Sequence, residues 1–130
     1  MNISIEHVAI SSPDPVGLRD WYERVLGART IFDSRQKPPA FLIALPGGGQ
    51  FEIYAADGKP QHGANKKLAG FGHIALRVES LDAARMELEE RGVKFPEAER
   101  PAAGGGRALF FEDCDGNLLH LVERPGGSDR

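Results

Sequence analysis

The chain has 130 residues, 41% of them apolar and 27% charged, the size and make-up of one ordinary globular domain. A net charge of −3, with a pI near 5.8, argues against the basic face of a nucleic-acid binder. No apolar run approaches the roughly 18 residues of a membrane span. Strand-like patterning begins at once, leaving no room for a signal peptide, and the single cysteine, Cys114, excludes an internal disulfide framework. A soluble cytoplasmic protein is therefore expected, with no role for Cys114.

In chain order, residues 3–11 read as a strand. Asp14 is an N-cap and Pro15 takes the first helical position; Leu18, Trp21, Tyr22, Val25 and Leu26 recur at helical spacing until Gly27 stops the helix. Residues 29–33 are a short strand and 34–39 a polar loop. Residues 41–45 and 50–55 are strands joined by a proline- and glycine-rich turn.

Residues 56–69 lack periodicity and read as a linker that contains His62, expected in solvent. Residues 71–79 are again a strand. Ser80 caps a helix whose apolar stripe is Leu81, Ala84 and Leu88 and whose terminator is Gly92. Residues 94–99 read as an edge strand broken by Pro96, and 101–106 as a mobile glycine loop. Residues 107–112 and 117–123 form a last hairpin, with Glu123 on its solvent face, and 125–130 are a tail.

The order strand, helix, strand, strand, strand occurs twice. His7 and His73 are 66 residues apart, Gly27 and Gly92 are 65 apart, and Glu52 and His120 are 68 apart. Such matched offsets predict an α+β chain of two βαβββ modules, 1–55 and 70–124, joined by the 56–69 linker.

Side chains alternate along a strand. Val8 and Ile10 on the first strand, and Ile74, Leu76 and Val78 on its echo, should pack beneath the helices. The opposite faces carry His7, Ala9 and Ser11, and His73, Ala75 and Arg77. Glu52 and Tyr54 share a face on the fourth strand, as do Leu118, His120 and Val122 on the last. A curved sheet would gather His7, Glu52, His73 and His120, a donor set suited to one divalent transition metal (Zn, Ni, Fe, Co or Mn). Taken singly, each of these residues also fits an ordinary core or surface position. Matched register is what raises them together.

Four segments in this order resemble the vicinal oxygen chelate superfamily: His7-Val8-Ala9-Ile10, the helix end Trp21-Tyr22-Glu23-Arg24-Val25-Leu26-Gly27, Phe71-Gly72-His73-Ile74-Ala75, and Asp113-Cys114-Asp115-Gly116-Asn117-Leu118-Leu119-His120-Leu121. That superfamily includes glyoxalase I, bleomycin-resistance proteins, fosfomycin-resistance enzymes, methylmalonyl-CoA epimerase and extradiol dioxygenases. The resemblance covers about residues 3–124. It implies paired modules cupped around a metal with helices outside, a small-molecule substrate and a homodimer.

Carried over by position, the metal ligands are His7, Glu52, His73 and His120. His120 departs from the glutamate usual in the glyoxalase I and epimerase types, where that carboxylate commonly serves as base. Here Glu52 or an unbound His120 would move the proton. Arg77 is a candidate for a substrate carboxylate or phosphate, and Tyr54 for the pocket wall. The resemblance thus implies a metal-dependent glyoxalase-like lyase or isomerase. A drug-sequestering binding protein and a ferrous ring-cleaving dioxygenase stand as alternatives, and a ferredoxin-like domain with scattered histidines as the bland one.

Overall fold

Both helices begin where a short polar side chain satisfies their first free N–H groups. Asp14 accepts from the Gly17 N–H, and Pro15 follows where a missing N–H costs nothing. Helix α1 (Pro15–Leu26) ends on Gly27, whose left-handed φ of 72° turns its N–H back to the Tyr22 carbonyl. Ser80 accepts from the Ala83 N–H to start α2 (Leu81–Glu90).

The computed structural model describes residues 1–58 and 69–126. Most of the predicted linker, with His62, and the end of the predicted tail lie outside the described residues. The chain divides into two compact units, Met1–Gln61 and His62–Arg130. The first holds β1 (Val8–Ser12), α1, β2 (Arg29–Asp33), β3 (Phe41–Ala44) and β4 (Gln50–Ala55). The second holds β5 (Ile74–Arg77), α2, β6 (Arg100–Pro101), β7 (Arg107–Glu112) and β8 (Leu118–Glu123). This is the predicted α+β order, in duplicate.

Each unit builds one four-stranded mixed sheet, in the orders β1-β4-β3-β2 and β5-β8-β7-β6. In both, the first strand lies parallel to the last and the remaining pairs are antiparallel. The parallel pairing is possible because a helix lies between the two strands in sequence and carries the chain across. One sheet face then meets the helix. In the first unit Leu18, Tyr22 and Val25 are buried together with Ile10, Phe41, Ile43, Phe51 and Ile53. Tyr22 stacks edge-on against Phe51, ring centres 5.4 Å apart. In the second, Leu81 and Leu88 are buried with Leu109, Phe111, Leu119 and Leu121. Each of these side chains contributes on the order of 2 kcal/mol by leaving water.

Several expectations need correction. β1 begins at Val8, because its partner β4 begins at Gln50 and the ladder offers nothing further upstream. Ile3 and Ile5 are consequently exposed, and Val8, first residue of an edge strand, is half-exposed rather than packed beside Ile10. β5 starts late for the same reason, since β8 begins at Leu118. Residues 94–99 form no strand. Phe95 instead turns its ring onto Phe111, and Pro96 has no N–H to give a ladder, so pairing starts only at Arg100.

The 101–106 stretch is a tied turn. Ala102 and Gly106 share a backbone hydrogen bond, and the Arg124 guanidinium donates to the Ala103 and Gly105 carbonyls. Glu123 does not merely face solvent. Its Oε1 accepts the Leu81 N–H at 2.7 Å, completing the α2 cap, while Arg107 donates to both its oxygens.

Candidate metal centre

In the first unit Ala9 stands opposite Glu52 across the parallel β1–β4 pair. His7 precedes Ala9 by two residues and so falls on the same side. The result is a close pair, with His7 Nε2 lying 3.5 Å from Glu52 Oε1. The other ring nitrogen, Nδ1, is hydrogen-bonded to the Glu6 carboxylate. Glu6 chiefly, and Glu52 after it, raise the His7 imidazole above its ordinary pKa against the opposing effect of partial desolvation. Both side chains are reachable, His7 at 37% and Glu52 at 39% exposure.

The second unit repeats the arrangement. Ala75 stands opposite His120 across β5–β8, and His73 precedes Ala75 by two. The two imidazoles meet with ring centres 4.4 Å apart, tilted at 43°. His120 is only 9% exposed. Phe110, directly across from it on β7, presents its ring edge-on to His120 at 4.8 Å and to His73 at 5.1 Å.

Each unit therefore sets one candidate donor pair where its parallel ladder begins, one member just ahead of the first strand and the other on the last: an imidazole with a carboxylate, and an imidazole with an imidazole. Those groups suit a borderline divalent cation, with nitrogen ligands for affinity and one carboxylate for charge. Among the described residues, no group of three or more His, Cys, Asp or Glu side chains is placed so as to hold a metal ion.

Tyr54 lies two residues beyond Glu52 on the same face of β4, opposite Ser11, and is 41% exposed. Arg77 pairs with Val122 on the face that carries His120. Three neighbours escaped the sequence reading. Glu6 is adjacent to His7 and was available from the sequence. Phe110 follows from strand alternation only once the β7–β8 register is fixed. Arg100 had no signal, because the strand expected there was placed too early.

The model of the Glyoxalase/Bleomycin resistance protein/Dioxygenase superfamily matches residues 4–121. The uncharacterized protein YwkD of Bacillus subtilis (strain 168) is 30% identical over 124 residues, 93% of this chain and 97% of that one. Lactoylglutathione lyase of Escherichia coli O157:H7 is 29% identical over 108 residues, 80% of each chain. Among solved structures, the fosfomycin resistance protein FosX of Listeria monocytogenes, complexed with Mn(II) and 1S,2S-dihydroxypropylphosphonic acid, shares the fold with a TM-score of 0.70. It is 20% identical, over 97% of this chain and 94% of that one. Among the described residues no helix is long and apolar enough to cross a membrane.

Proposed function

Since the chain belongs to the glyoxalase/bleomycin resistance protein/dioxygenase superfamily, we propose that it is a metal-dependent enzyme of glyoxalase type, a lyase or isomerase acting on a small oxygenated substrate. His7, Glu52, His73 and His120 are the residues that would hold one divalent cation. The similarity to a lactoylglutathione lyase supports the reaction type, and the complex of FosX with Mn(II) supports a metal in this fold. One observation carries the reading. In both sheets a histidine stands two residues ahead of the residue that faces the second donor, so the same backbone offset is used twice.

A divalent cation held by these residues would supply Lewis-acid polarisation of the substrate's oxygens. The protein's own part is to move a proton between neighbouring carbons. Glu52 would be the group that does it, or His120 if His120 is not a ligand. Arg77 and Tyr54, on the donor faces, bind substrate. The protein acts as a homodimer in the cytoplasm, and sedimentation reads the first of these directly.

The test is metal content after purification without chelators. One ion per chain is expected, lost in His73→Ala, together with solvent deuterium entering the carbon beside the carbonyl of added α-hydroxyketones. Protein recovered without metal, whose melting temperature ignores added nickel, zinc and manganese, would remove the site. Exchange persisting in His73→Ala would remove the chemistry.

A further inference from the structure

The sheet of the second unit brings Arg100 to the face that carries His120. Across the strands Arg100 pairs with Ala108, Ala108 with Val122 and Val122 with Arg77; the next row on that face is Phe110, His120 and Ala75. The Arg100 guanidinium carbon lies 5.2 Å from the centre of the Phe110 ring. That same ring meets His120 and His73 edge-on. The Phe110 ring thus neighbours both a permanent cation and the two imidazoles.

The guanidinium also holds a carboxylate of the protein's own. Nη2 donates to Glu97 Oε1 at 2.6 Å, with the arginine 43% and the glutamate 48% exposed. An exposed pair of this kind contributes little and exchanges readily for another carboxylate of matching shape. Arg77, at the opposite edge of the sheet, stands three strand spacings away, roughly 14 Å at the backbone.

We propose that Arg100 is a specificity-determining residue that seats a substrate carboxylate over Phe110 in place of Glu97. The substrate class is then a small carboxylic acid whose two adjacent oxygens lie a short aliphatic chain from the carboxylate. This rests on the metal reading above, because the oxygens are placed at the cation.

Calorimetry on the nickel-loaded protein tests it with two chelators, acetohydroxamate and succinic monohydroxamate, which differ by a carboxylate arm. The acid is expected to bind about tenfold more tightly, the worth of one charge-assisted hydrogen bond. Arg100→Gln should erase that preference and leave acetohydroxamate unchanged, and Arg100→Lys should keep part of it. Glu97→Gln, which removes the internal competitor, should enlarge it; this arm decides the matter even if Arg100→Gln folds poorly. Acetohydroxamate binding with no preference for the acid, or a preference that survives Arg100→Gln, overturns the role of Arg100 alone. Neither chelator binding to the wild type overturns the metal reading, and this inference with it.

Discussion

Gly106→Ala should unfold the second unit's sheet from its open end. A methyl carbon at residue 106 would lie 1.9 Å from the Glu123 carbonyl oxygen and 3.0 Å from its carbon, far inside contact distance. The backbone there has φ +98°, which an L side chain rarely adopts. Relief requires β7 and β8 to part by more than an ångström where Arg107 faces Glu123. That movement strains the Ala102–Gly106 hydrogen bond and the hold of Arg124 on the Gly105 carbonyl at 2.8 Å.

With roughly 1 kcal/mol for each bond lost and a similar cost for the backbone, the substitution should cost about 3 kcal/mol. In a domain this size that is a fall of roughly 10 °C in Tm. Gly48→Ala is the control. Its φ is +111°, but nothing lies within 4 Å of the added carbon, so it should cost only about 1 kcal/mol. Urea unfolding of both variants measures the difference. If the two midpoints coincide, the close approach at Glu123 contributes nothing and the reasoning fails.

The Leu81 N–H first, and the Arg107 guanidinium after it, hold the Glu123 carboxyl below its ordinary 4.5. Its contribution is complete above that value and drains away as pH falls through the lower folded pKa. Wild type and Glu123→Gln should differ in urea at pH 7 and converge in acid; a gap independent of pH would count against the cap. Asp14→Ala should cost about 1 kcal/mol and Asp14→Asn much less, read from the same denaturation curves. Glu6→Gln should bring the His7 pKa down in metal-free protein, followed by the imidazole proton resonances. An unmoved titration would assign the shift to Glu52 instead.

Local chemistry was legible in the residues themselves. Asp14 with Pro15, Ser80, and Gly27 mark helix ends by interactions that span only a few residues, and the structure keeps all of them. Strand limits were not legible where a partner strand decides them. Ile3, Ile5 and Phe71 have the composition of strand but face ladders that have already ended, and all three are exposed. Phe95 belongs to the same class of error, since it is the packing on Phe111 that draws residues 94–99 out of the sheet.

The donors divide in the same way. His7, Glu52, His73 and His120 stood out through their matched spacing, and in the structure His7 lies beside Glu52 and His73 beside His120. Glu123 could not be read as a cap from the sequence, because Leu81 is 42 residues away and only the fold brings them together. Arg100 was invisible for a related reason. Its neighbour Phe110 is reached through a rung of the β6–β7 ladder, and one wrong strand boundary hides that rung.

Setting each of these pairs where a parallel ladder begins has a consequence for how such a protein can diverge. The separation within a pair is governed by backbone rungs, so the connecting turns, 46–49 among them, are at liberty to lengthen or shorten without detuning it. Sequence change in those turns can then accumulate while the contact of His7 with Glu52 and that of His73 with His120 stay as the ladders set them.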